Sequence, residues 1–183
     1  AKSLQAGTVL ALVPNLKGAQ AAISAGVDKL TIPVSASEAH SLANVRKTRQ
    51  EMIQQVADII QYKNTVAPQI SVEVGISTAF GCTLQGTVPE AEVIAMAVSL
   101  AAVGVDEIGL SDTTGYANPA QVKRLFKQLY QELGPKAGAA HMHNTRGLGL
   151  ANCLAAYEEG VRTFDASQGC LLYTSPSPRD AHE

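Results

Sequence analysis

The chain has no tryptophan, and only three of its 183 residues are cysteines: Cys82, Cys153 and Cys170. Their spacing makes neither a CxxC site nor a disulfide framework, so a reducing cytoplasm is the default setting. Cys153 falls in a helical pattern and reads as core. Cys82 falls in a glycine-rich loop, either packed or near a ligand. No apolar run approaches the roughly 18–20 residues that span a bilayer. The opening Ala1-Lys2-Ser3 does not have the apolar stretch of a signal peptide. The formal net charge is −2, with no basic stripe and no charged tail. Nucleic-acid and membrane partners are therefore not expected. The cluster Arg46-Lys47-Thr48-Arg49 reads as a solvated helix face, or less favourably as a contact for an anionic substrate group. No GxGxxG follows the first apolar segment, which weakens a dinucleotide-binding reading.

What is present is an ordinary globular composition, 46% hydrophobic and 16% charged, long enough for one domain with a sizeable core. Short apolar runs alternate with helical periodicity. Residues 8–13 (TVLALV), 29–34 (KLTIPV), 70–76 (ISVEVGI), 107–110 (EIGL), 137–143 and 162–166 (RTFDA) read as strands. Residues 16–25, 38–63, 89–103, 118–134 and 149–159 read as helices, several stopped by glycine. This alternation suits a doubly wound sheet or a (β/α)₈ barrel. Polar residues gather just after the strands: Asn15, Ser35, Ser37, Glu38, Ser77, Asp112, His141, His143 and Asp165. That favours a barrel with its site at the C-terminal strand ends. A barrel needs eight strands, and six are present.

His141-Met142-His143 ends the fifth of these strands. Alternate residues of a strand face the same way, so both imidazoles address one point. Two neutral imidazoles at one point suit a divalent metal. Two ordinary histidines at a strand end, one of them hydrogen-bonded, are the other reading.

Several segments resemble one family, the hydroxymethylglutaryl-CoA lyases of the metal-dependent lyase and aldol-type barrel superfamily. Val13-Pro14-Asn15-Leu16-Lys17-Gly18 resembles the TPNLKG that ends the family's third strand, and Ser35-Ala36-Ser37-Glu38 its AASE after the fourth. Gly81-Cys82 with Gln85-Gly86 resembles the GCPYEG loop, and Leu110-Ser111-Asp112-Thr113-Thr114-Gly115 resembles LGDTIG. His141-Met142-His143-Asn144-Thr145 resembles HCHDT at the seventh strand, and Phe164-Asp165-Ala166-Ser167 the start of the eighth. The resemblance runs through nearly all of residues 8–167, with the loops in order.

It implies an α/β fold, a partial TIM barrel holding strands three to eight of eight. It also implies that His141 and His143 bind Mg²⁺ or Mn²⁺, with oxygen ligands completing an octahedron. The family takes two of those ligands, an oxyanion-stabilising Arg and a strand-two Glu from segments this chain does not contain. Asp112 matches the family's catalytic-site aspartate; the other reading is a cap on its own turn. Asn15, Lys17, Ser37 and Ser77 are pocket or CoA candidates, each with a loop-capping alternative. Glu73 reads as paired near the barrel mouth or as a structural ion pair.

The implied reaction is retro-aldol cleavage of a 3-hydroxy-3-methyl acyl-CoA to acetyl-CoA and acetoacetate, in which a base takes the tertiary hydroxyl proton and an acid later protonates the enolate carbon. A homodimer is left open for the full-length protein. The runner-up is a Claisen-type enzyme condensing acetyl-CoA with a 2-keto acid, and the third reading is a non-catalytic metal-binding barrel. The 183-residue chain itself is expected to be inactive. Departures from the lyase pattern are Asn144 for an Asp, Arg146 for a Tyr, Pro33 within a strand, and His40 for an apolar residue. Arg146 is a candidate to bind a different acyl carboxylate.

The tail does not continue the pattern. Cys170 to Asp180 reads CLLYTSPSPRD, and its prolines forbid regular structure. The string resembles a translated transposase sequencing adapter. Residues 1–169 are thus read as the lyase-like domain and 170–183 as non-native sequence. Cys170 sits too early for the family's loop cysteine and lacks its flanking Gly-Gly and Pro.

Overall fold

The structure, a computed structural model, describes residues 7–166. Six parallel strands lie side by side in chain order: β1 (Leu10–Leu12), β2 (Lys29–Ser35), β3 (Ser71–Ser77), β4 (Glu107–Asp112), β5 (Ala137–Met142) and β6 (Thr163–Phe164). A doubly wound sheet reverses its order at a switch point; this one does not. Residues of both edge strands, Leu10 and Leu12 at one side and Asp165 and Ala166 just past β6 at the other, line one cavity. The sheet is therefore curled, as an arc of a barrel. The non-native reading of residues 170–183, and Cys170 with it, lies outside the described residues.

Between the strands run α1 (Leu16–Ser24), α2 (Glu38–Val45), α3 (Arg49–Val66), α4 (Glu90–Ala102), α5 (Pro119–Leu133) and α6 (Gly149–Glu158). Alternation along the strands sorts the faces. Leu30, Ile32 and Val34 of β2, Val72, Val74 and Ile76 of β3, and Ile108 and Leu110 of β4 are fully buried. They form the core with Met52, Val56 and Ile59 of α3, Leu100 of α4, and Leu125, Phe126 and Leu129 of α5. The intervening positions, Thr31, Pro33, Gly75, Ser111 and His141, line the inner cavity. Pro33 does not break β2. The ladder to β1 ends where Val13 N–H donates to Thr31 O, so the absent proline N–H lies beyond its last rung.

The single helix expected over residues 38–63 is two. Arg46 adopts a left-handed conformation (φ 57°) that ends α2. Thr48 then starts α3 with a capping box: its Oγ1 accepts from Glu51 N–H at 3.1 Å, and Glu51 Oε2 accepts from Thr48 N–H at 2.7 Å. The basic cluster is thus a hinge between helices rather than one solvated face. Its Arg49 pairs with Glu92 at 2.6 Å and with Glu38 at 3.4 Å.

Near the strand starts, Lys29 bridges Glu73 at 2.6 Å and Glu107 at 2.5 Å, and Thr31 Oγ1 donates to Glu73 Oε1 at 3.3 Å. Burial opposes the Lys29 charge, but the two carboxylates outweigh it and hold the ammonium above its ordinary value. Of the two readings of Glu73, the structural ion pair is the one observed.

Candidate metal centre at the strand ends

His141 is paired in the sheet with Ser111 of β4, one residue from the end of β5. Its Nδ1 lies 2.8 Å from Asp165 Oδ2. A carboxylate there holds the proton on Nδ1 and leaves the Nε2 lone pair free. His143 Nε2 lies 3.0 Å from His141 Nε2. Burial, with the neighbouring His141 adding to it, keeps the His143 imidazole below its ordinary value and so neutral near pH 7. A hydrogen bond between the two rings accounts for that separation, and it brings to one point two imidazole nitrogens of the kind that suits a divalent cation. The fit covers two donors: among the described residues no cluster of three His, Cys, Asp or Glu side chains forms.

The pair borders a cavity of about 400 Å³. Ser77, Ser111 and Thr113 bring hydroxyls to its wall, and Leu10 and Leu12 make it partly apolar.

Residues 1–169 match the HMGL-like family model. The chain belongs to the HMGL-like family. It is 36% identical over 167 residues to hydroxymethylglutaryl-CoA lyase YngG of Bacillus subtilis, covering 90% of this chain and 54% of that protein. It is 35% identical over 169 residues to (R)-citramalyl-CoA lyase of Chloroflexus aurantiacus, covering 92% and 53%. A solved HMG-CoA lyase from Acinetobacter baumannii, in complex with coenzyme A and 3-methylmalate, superposes with a TM-score of 0.81 at 40% identity, covering 87% of this chain and 52% of that one. The chain thus spans about half the length of the relatives it matches.

The other candidate residues of this HMGL-like chain fall in different places. Asp112 does not line the histidine cavity. It is the neighbour in sequence of Ser111, which does, and strand alternation turns it the other way. Its Oδ1 accepts from Tyr116 N–H at 2.8 Å and Ala117 N–H at 3.2 Å. Burial raises its carboxyl above the ordinary range despite these bonds. Its Oδ1 closes the turn, while its buried Oδ2 has no hydrogen-bond partner among the described residues.

Asn15 caps α1, its Oδ1 accepting from Gly18 N–H at 2.9 Å, and Lys17 is exposed on that helix. Ser37 caps α2 through His40 N–H and donates to Gln85 at 2.9 Å. Of these four candidates, Ser77 alone reaches the cavity. Cys82 is buried, in a loop closed by paired backbone bonds with Gly86. Burial opposes its ionisation, but bonds from Ser37 and from the N–H groups of Gln85 and Leu84 prevail and lower the thiol. Arg146 does not face the histidines as a free cation. Its guanidinium donates to the carbonyls of Gly115, Tyr116 and Ala117.

Ser111, Thr113 and the pairing of Asp165 with His141 are the parts of the site that the motif reading missed. The signal was available. If His141 faces inward, alternation and the parallel register put residues 111 and 113 on that face and exclude residue 112.

Proposed function

We propose that the full-length protein is a carbon–carbon lyase that cleaves 3-hydroxy-3-methylglutaryl-CoA, or a close 3-hydroxyacyl-CoA, to acetyl-CoA and a keto acid. In this reading the chain supplies strands three to eight of an eight-stranded barrel. The carrying observation is the convergence of His141 Nε2 and His143 Nε2 at 3.0 Å, with Asp165 behind the first ring. His141 and His143 would hold Mg²⁺ or Mn²⁺, and such an ion supplies positive charge that lowers the pKa of a bound tertiary hydroxyl. Asp165 fixes the tautomer of His141, and the hydroxyls of Ser77, Ser111 and Thr113 offer hydrogen bonds to the acyl group. Asp112 holds the β4 exit loop through Oδ1, and its buried Oδ2, which has no hydrogen-bond partner among the described residues, is the atom that would serve as the catalytic-site carboxylate.

A second substrate has comparable support, because the citramalyl-CoA lyase is as similar as the hydroxymethylglutaryl-CoA lyase, 35% against 36%. The two thioesters share a tertiary hydroxyl and a methyl group and differ in the arm that carries the carboxylate. The test is to supply each thioester to the full-length protein with Mg²⁺ or Mn²⁺. Acetoacetate, pyruvate and acetyl-CoA are then measured with and without EDTA. Cleavage of one thioester, lost with EDTA and in His141→Ala and His143→Ala, is expected. Thiol release from acetyl-CoA plus a 2-keto acid, with no cleavage, would favour the condensing reaction. Full activity of either histidine variant would remove the metal assignment.

A further inference from the structure

His143 lies one residue beyond β5. The ladder to β4 ends at the pair Asp112 and Met142, and the ladder to β6 ends at Ala140 and Phe164. His141 therefore has strand pairing for its backbone and Asp165 for its ring, whereas His143 has neither. Its backbone continues into a turn in which Gly147 N–H donates to Asn144 O at 2.9 Å and Asn144 Oδ1 accepts from Gly149 N–H at 2.9 Å.

Arg146 ties the tip of that turn to the neighbouring exit loop. Its Nε donates to Gly115 O at 2.9 Å, and its Nη2 to Tyr116 O at 2.7 Å and Ala117 O at 3.2 Å. The same loop is held from its other side, where Asp112 Oδ1 takes the N–H groups of Tyr116 and Ala117. Buried Asn152 of α6 adds a bond to Ala117 O at 3.2 Å. Thr145 sits so close to Gly115 that a Cβ there would lie 2.5 Å from it, at a backbone φ of +70° that glycine tolerates.

We propose that Arg146 is a positioning residue for His143: it pins the turn after β5 to the Asp112-closed loop and so sets the His143 ring against His141. The link to cation binding rests on the functional reading above; the geometry does not. The planar guanidinium suits the task, because its donors diverge in a fixed fork that meets three successive carbonyls. A lysine ammonium has no such fork.

The test uses the ¹⁵N-labelled full-length protein and long-range ¹H–¹⁵N spectra of its imidazoles, with Mn²⁺ added as a paramagnetic probe. In the parent protein His141 carries its proton on Nδ1 toward Asp165, and His143 donates Nε2–H to His141 Nε2. In Arg146→Ala the His143 signals should lose that bond while the His141 Nδ1–H signal persists. The Mn²⁺ concentration that broadens His143 should rise about tenfold, the lower end of what loss of a supporting contact costs a metal site. Arg146→Lys should fall between the two. Unchanged His143 signals and an unchanged Mn²⁺ response in Arg146→Ala would overturn the proposal. If that variant does not fold, the same comparison on Arg146→Lys decides, and parent-like His143 signals count against it. Absence of Mn²⁺ broadening on both rings of the full-length parent protein would sink the cation reading and leave the ring signals to judge Arg146.

Discussion

Asp165 and His141 stand 24 residues apart in sequence and meet at 2.8 Å, carboxylate to Nδ1, at the end of the β5–β6 step. The contact decides which imidazole nitrogen is free. Replacing Asp165 by Ala should weaken Mn²⁺ binding to the full-length protein by about 10–100-fold, the usual cost of removing a ligand's hydrogen-bond partner. Titration followed by electron paramagnetic resonance measures it, and an unaltered affinity would show that the carboxylate does not orient the ring.

Two histidines give stability a pH dependence. Burial lowers His40, and burial with the neighbouring His141 lowers His143, both from an ordinary 6.5. With folded values below the unfolded ones, the unfolded chain takes up protons first as pH falls. Their contribution is complete above about pH 6.5 and is lost as pH drops through the folded values. Denaturant midpoints should therefore decline from about pH 7.5 to about 5.5, and His40→Gln should flatten the slope. An identical slope in that variant would rule His40 out.

The hinge at residues 46–48 depends on a cap. Thr48→Ala removes the side-chain acceptor for Glu51 N–H and should cost about 1 kcal/mol. Chemical denaturation reads this directly. A loss within error of zero would mean that the Arg46 turn holds α3 in place without the capping box.

Phe126 of α5 is fully buried in the layer between helices and sheet. Phe126→Ala should destabilise by about 3–5 kcal/mol, transfer and cavity costs together. Since a domain has only about 5–15 kcal/mol in total, a large drop in melting temperature is expected, and a shift of one or two degrees would place α5 outside the core.

The six strands were legible because each is a short apolar run with turn residues after it. Their curled arrangement was legible from the polar residues at the exits. The break in the long helix is masked because Val45 and Met52 keep a seven-residue helical spacing across the polar residues 46–51, although the Thr48–Glu51 spacing marks a new helix start. The spacing of His141 and His143 brings both rings to one point, but alone it left two ordinary histidines as an equal reading; the family resemblance is what favoured a metal pair. Asp112 is singled out by its motif, and strand alternation sets it one step from the inward face, with Oδ1 in the turn and Oδ2 buried without a partner among the described residues. Asn15 and Ser37 resembled pocket residues because caps and binding residues use the same short polar side chains at the same strand exits. The span of Arg146 to residues 115–117 could not be read from sequence, since nothing local shows where a long exposed side chain reaches.

The bonds from Arg146 to the β4 exit loop have an evolutionary implication. In a barrel, exit loops ordinarily diversify one at a time, because the strands beneath carry the fold. Here two of them share an anchor, so a change in either alone leaves the other mismatched. Drift toward a new acyl group should proceed through paired replacements in residues 113–117 and 144–147, inherited as one unit.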